Sequence, residues 1–110
     1  MCSAAVALTV NNVDLEDKPD VVVVLRDEHG DEKANWSQEM TYGDKGQSGG
    51  LGPDVKWAMV SHVGPEGSYD LEFTYGDDVT LNWLDFEVQT TSGAGDSYFE
   101  SRTCTFPCRG

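Results

Sequence analysis

This chain has little of the equipment on which enzyme chemistry is usually recognised. It holds two histidines, His29 and His62. One lies in a charged turn and the other near the end of an apolar run, and neither is placed to activate a nucleophile. No Gly-x-Ser-x-Gly elbow occurs. Carboxylates are too numerous for any pair to be singled out as a glycosidase acid and base. No catalytic residue is assigned, no cofactor is implied, and a non-enzymatic role is expected.

Positive charge is equally scarce. Seven Lys and Arg stand against twenty Asp and Glu, for a formal charge of −13. Phosphate backbones would be repelled, which excludes nucleic acid as a partner. Anionic lipid surfaces are disfavoured for the same reason, while neutral lipids stay compatible. The surplus acid suits solubility. Its local clusters are Asp14, Glu16 and Asp17; Asp27, Glu28 and Asp31; and Asp77 with Asp78. The glycine in Asp27-Glu-His-Gly-Asp-Glu falls at the wrong place for a Ca²⁺ loop. These residues read as solvated turn acids, and no metal site is assigned.

Long hydrophobic runs are missing too. No stretch approaches the roughly 20 apolar residues of a membrane-spanning helix, so no transmembrane segment is expected. The opening MCSAAVALTV is too short, and lacks the basic start, for a signal peptide. Only three cysteines are present, Cys2, Cys104 and Cys108. One intramolecular disulfide at most can form. It would either close the short Cys104–Cys108 loop or join Cys2 to one of the pair and tie the first strand to the last. Reduced thiols in a cytosolic setting are the alternative. A zinc ribbon is excluded, since it needs four ligands. The compartment stays open, with secretion slightly ahead of the cytoplasm.

What the chain does have is alternation. In Tyr69–Tyr75, the residues Tyr69, Leu71, Phe73 and Tyr75 alternate with Asp70, Glu72 and Thr74, and a Gly76-Asp77-Asp78 break follows. Alternation resumes at Val79, Leu81 and Trp83, the pattern of a β-hairpin with one buried face. Trp57, Leu71, Phe73 and Trp83 are expected in the core. The apolar phase then flips from Trp83 to Leu84, Phe86 and Val88. A one-residue slip reverses faces, so a β-bulge or a crossing between sheets is expected there, with Trp83 and Leu84 both inward. Val21–Leu25, VVVVL, is apolar at every position and reads as an interior strand covered on both faces. Further strands are expected over Ala4–Val10, Trp36–Tyr42, Val55–Val60 and Tyr98–Phe106. Gly43–Asp54 and Thr90–Ser97 read as Gly-rich connections, the first of them mobile. With no amphipathic helix in the pattern, the expected fold is all-β. It is an antiparallel β-sandwich of about seven strands, forming a single domain over residues 1–110.

Aromatics supply the candidate binding residues, because Trp and Tyr pair an apolar body with a polar tip. Trp36, Tyr42 and Tyr98 stand beside loops, and Asp44 follows Tyr42 in a Gly-Asp turn. The ligand-facing end is expected where Gly43–Asp54 meets Gly64–Ser68, since Gly-rich loops adapt and neighbouring aromatics give contact. Asn35-Trp36-Ser37 also fits the N-glycosylation acceptor.

Three segments carry a family resemblance. Leu8-Thr-Val-Asn-Asn-Val13, Pro53-Asp-Val-Lys56 and Glu66-Gly-Ser-Tyr-Asp-Leu71 are similar, in order and rough spacing, to aegerolysins, small acidic β-sandwich proteins that bind membrane lipids. The family's Trp- and Gly-rich segment is represented only by Asn82-Trp83-Leu84-Asp85, and its extra C-terminal strand is missing. The resemblance implies a β-sandwich and neutral-lipid binding. Taken with the residues themselves, the expected role is a binding module for a protein or glycan partner. Lipid binding of the aegerolysin type, or a structural or assembly role that includes homo-oligomers, is the alternative.

Overall fold

The computed structural model describes residues 1–11, 19–41, 43–62, 69–77, 79–94 and 97–108. Nine strands run through them: β1 (Cys2–Asn11), β2 (Asp20–Arg26), β3 (Glu32–Glu39), β4 (Lys45–Ser48), β5 (Val55–His62), β6 (Tyr69–Tyr75), β7 (Val79–Asn82), β8 (Glu87–Ala94) and β9 (Ser97–Phe106). They form two antiparallel sheets, a five-stranded one in the order β3-β2-β1-β9-β8 and a four-stranded one in the order β4-β5-β6-β7. The all-β sandwich expected from the alternation is the observed architecture.

Period-two patterning does the work of placing the core. Cys2, Ala4, Val6 and Leu8 of β1 and Val21, Val23 and Leu25 of β2 face Val55, Trp57 and Met59 of β5 and Leu71, Phe73 and Tyr75 of β6, all at most 1% exposed. Trp57 lies 5.8 Å from Phe73 between ring centroids, and Phe73 lies 5.0 Å from Phe86. These offset, tilted contacts are the arrangement that aromatic quadrupoles favour. The β6–β7 hairpin turns at Gly76, whose φ of 67° lies in the left-handed region that suits glycine.

Two strands fall where the sequence read as loop. β4 lies inside Gly43–Asp54, because Gly46 is a packing residue as well as a flexible one. A Cβ there would sit 2.3 Å from Trp57 Nε1 and 2.7 Å from Trp36 Cζ2. The rest of that segment is anchored rather than free. Leu51 is 5% exposed, and its carbonyl accepts a 2.7 Å hydrogen bond from the Tyr75 hydroxyl. The second unforeseen strand, β8, covers most of the stretch read as a Gly-rich turn.

β2 is interior to its sheet as expected, paired to β1 on one side and β3 on the other. Its coverage is one-sided, however. Val21, Val23 and Leu25 are fully buried, while Val22 and Val24 are half-buried on the outer face. Small neighbours account for this, since Ala7 stands opposite Val22 and Ala5 opposite Val24. A disulfide joins Cys2 to Cys108 across 106 residues of chain, linking the first strand to the segment after the last. Cys104 is a free, buried thiol. No helix among the described residues is long and apolar enough to cross a membrane.

Candidate functional site

The chain passes from the first sheet to the second between β3 and β4, and its return crossing, between β7 and β8, is made by one 3₁₀ turn, Trp83–Asp85. In a 3₁₀ helix residues i and i+3 eclipse. Trp83 and Phe86 therefore point the same way, into the core at 3% and 4% exposure. Their rings lie 5.3 Å apart, and the Phe86 N–H donates to the Trp83 carbonyl. The residues between them are turned out, and Leu84 is 88% exposed. The expected crossing between sheets is present, whereas the expectation that Trp83 and Leu84 both face apolar surroundings is overturned. The phase flip reflects a period of three through the turn.

The turn is held from below by β9. Its inward face carries Glu100 and Arg102 opposite Leu8 and Val6 of β1. Glu100 is 4% exposed, the only buried charged residue among those described. Arg102 Nε donates to Glu100 Oε2. Arg102 Nη1 donates to the Trp83 carbonyl at 3.0 Å, and the guanidinium carbon lies 4.5 Å from the Trp83 ring centroid. One side chain thus meets a carboxylate, a carbonyl and an indole face, the planar multi-donor use to which arginine is suited. Sequence reading missed this cluster. Its signal is the same-parity run Glu100, Arg102, Cys104 and Phe106, where a charged pair opens an otherwise inward face.

β8 leaves the turn as the edge of the five-stranded sheet. It pairs with β9 on one side, with a register shift between Val88 and Thr90, and has no strand partner on the other side among the described residues. Every residue from Glu87 to Ser92 is exposed, so neither face of this stretch is covered. Val88, four residues after Leu84, is 49% exposed. Glu87 is the sole charged residue in the strand. Natural edge strands are usually blunted by charge, proline or a covering element. Among the described residues, the devices seen on β8 are the bulge and the single charge of Glu87.

The opposite flank is closed. There β3 and β4 approach each other, Trp36 packs edge-on against Trp57 at 4.9 Å and 79°, and Gly46 lies over both. Trp36 is accordingly half-buried against the core. Asp44 is engaged in its own turn, where Oδ2 accepts the Thr41 N–H at 2.9 Å. Tyr98 belongs to β9 opposite Val10 and Gly93, on the far side of the molecule's strand order from Trp36, and its side chain is outside the described set. Tyr42 also lies outside the described residues. The structure thus brings Trp36 near Asp44's turn through β3 and β4, and does not gather Trp36 and Tyr98 into one patch.

The Gly43–Asp54 half of the expected ligand end runs along β5. The Gly43 N–H donates to the Met59 carbonyl towards the end of that strand, and residues 49–54 lie where it begins, with the Asp54 carbonyl accepting the Gly76 N–H. The other half, Gly64–Ser68, lies outside the described residues.

At the disulfide end, the 27–31 turn and the Gly50–Gly52 segment flank an open cleft of about 460 Å³ beside Cys2 and Cys108. Its charged groups already serve the turn. Asp27 Oδ1 accepts the N–H groups of His29 and Asp31 at 2.9 and 3.0 Å, and Lys33 Nζ lies 3.6 Å from Oδ2. Desolvation opposes ionisation of Asp27, but these donors and the Lys33 charge outweigh it and hold the carboxyl below its ordinary range. Among the described residues no three His, Cys, Asp or Glu side chains converge to hold a metal ion. Comparison with protein-family models, with curated proteins and with solved structures found no match.

Proposed function

We propose that this chain is a non-enzymatic protein-binding module whose partner lays an extended segment along the free edge of β8. The observation that carries the reading is the run of six consecutive exposed residues, Glu87–Ser92, on an edge strand that starts beside Leu84 at 88% exposure. An open edge presents a row of backbone donors and acceptors, and strand addition satisfies them while side-chain contacts set specificity. Leu84 and Val88 would give such a segment its apolar anchors. Burying a leucine of this kind contributes about 1.5–3 kcal/mol. The 3₁₀ turn supports the same reading, because the Arg102–Trp83 contacts fix the turn that presents Leu84.

A displayed peptide library panned on the purified protein tests it. Selected peptides should shift the backbone amide resonances of residues 87–92 and should lose binding to a Leu84→Asp, Val88→Asp double variant. Peptides that bind the double variant equally well, or that shift only amides elsewhere, would refute the β8 site. A glycan array and liposome pelleting run in parallel separate the other ligand classes. Glycan binding without peptide binding would replace the reading with a lectin-like one. Cosedimentation with neutral liposomes would replace it with lipid binding.

A further inference from the structure

We infer that the segment completing β8 is β8 of a second copy of this chain, paired antiparallel about a two-fold axis through Thr91. This rests on the reading of β8 as the binding edge and names its occupant.

Charge decides the occupant. Each chain carries a formal −13, so two copies repel over most of their surface. The run from Val88 to Ala94, VQTTSGA, is free of charge. The other edge strands offer no comparable stretch. β3 carries Glu32, Lys33 and Glu39, β4 is four residues long with Lys45, and β7 is four residues long. β8 therefore offers the longest uncharged edge along which two acidic copies can meet. A basic foreign segment would find no carboxylate between residues 88 and 94 to pair with.

The run also complements itself. An antiparallel pairing centred on Thr91 places Thr91 opposite Thr91 of the second copy, Thr90 opposite Ser92, and Val88 opposite Ala94. Thr–Thr and Thr–Ser pairs are favourable cross-strand neighbours. The two Glu87 residues then lie four positions to either side of the axis. At about 3.4 Å per residue they are some 27 Å apart, several times the screening length at physiological salt. The result is a continuous ten-stranded sheet in a closed two-fold dimer. Because the pairing uses the β8 edge of both copies, growth through that edge stops at two. Val88, an exposed apolar residue of β8, then gains Ala94 of the second copy as its cross-strand neighbour.

A single added strand is small against the roughly 1,200–2,000 Å² of a standard interface, so the dimer should be concentration-dependent. Sedimentation equilibrium on the whole protein is the test, from about 10 µM to 1 mM. The weight-average mass should climb from 12.0 kDa for one chain towards twice that. It should climb further when NaCl is raised, because salt screens the repulsion between copies. Thr91→Lys and Thr91→Glu each place like charges across the axis, and both should remain monomeric at concentrations where the parent dimerises. Their thermal midpoints should match that of the parent at concentrations where the parent is monomeric, since Thr91 is exposed.

A monomeric parent at every concentration and salt would overturn the dimer. So would association of Thr91→Lys beyond that of the parent, which would reveal non-specific electrostatics on an acidic protein. If the parent is monomeric yet a selected peptide shifts the 87–92 amides, the second copy is refuted and the β8 edge stands. If neither occurs, both fall.

Discussion

The guanidinium of Arg102 sits over the indole of Trp83 while donating a hydrogen bond to the same residue's carbonyl. One side chain thereby fixes both the ring and the backbone of the turn that joins the sheets. The Arg102 side chain is 17% exposed and the Glu100 side chain 5%, so their ion pair is largely desolvated. Breaking one member of such a pair is far costlier than replacing both with apolar groups.

Arg102→Leu should therefore lower the unfolding free energy by about 3–5 kcal/mol in urea titration. The Glu100→Leu, Arg102→Leu double variant should recover a large part of that loss. A single substitution costing under about 1 kcal/mol, the range of an exposed pair, would show that Arg102 does not hold the turn.

The closed flank makes a different demand. Gly46 has no room for a methyl group against Trp57 and Trp36, and overpacking of this kind costs about 1–3 kcal/mol. Gly46→Ala should lower the melting temperature. Trp36→Leu should also lower it, because the indole packs edge-on against Trp57. The two effects should be less than additive, since losing the Trp36 ring removes one of the atoms the new methyl would strike while the Trp57 atoms remain. Additive losses would mean that Gly46 and Trp36 do not share a contact. Such a fall in melting temperature runs against the expectation that Trp36 is a surface binding residue whose loss leaves stability intact.

The sheets were legible because half-buried strands write period two into the sequence. Leu71, Phe73, Tyr75 and Leu81 are buried as their alternation requires. Two strands were not legible, for opposite reasons. β4 hides behind glycine, since Gly46 is selected by what lies beneath it rather than by strand propensity. β8 hides because both its faces meet solvent, which erases the alternation. The candidate site shares that difficulty. An exposed, uncharged strand looks like a loop, and the Leu84 that flanks it was assigned to the core because a turn with period three mimics a slipped strand.

Cys104 gives a pH prediction. Burial disfavours its thiolate, and the nearby Asp85 charge adds to the effect, so its pKa is raised. In the unfolded chain the thiol ionises near its ordinary value of about 8.5. Above that pH the unfolded state binds fewer protons than the folded one, and stability falls as pH rises. The contribution is whole below that range and is lost as pH climbs through the raised folded value. Thermal midpoints of oxidised protein should fall as pH rises above about 8.5. Cys104→Ala, with Cys2–Cys108 kept oxidised, should fall less steeply above that pH. The slope is the readout, because the substitution also removes buried volume. Equal slopes would mean that Cys104 is not the titrating group.

The one-sided coverage of β2 separates two neighbouring positions. Val23 is fully buried in the interior of the sandwich, while Val24 is half-buried on the outer face between Ala5 and Asn35. A carboxylate at Val23 has no compensating charge among its apolar neighbours, and burying it costs several kcal/mol. That is comparable to the whole stability of a domain this size, about 5–15 kcal/mol. Val23→Asp should therefore yield no folded protein. Val24→Asp keeps its carboxylate within reach of water and should cost about 1 kcal/mol, the span of strand propensities. It should express in soluble form with native circular dichroism. If Val23→Asp melts like the parent, the core is not where β2 places it. If Val24→Asp also fails to fold, the outer face of the five-stranded sheet is covered by a further layer, and the four apolar valines report burial on both sides after all.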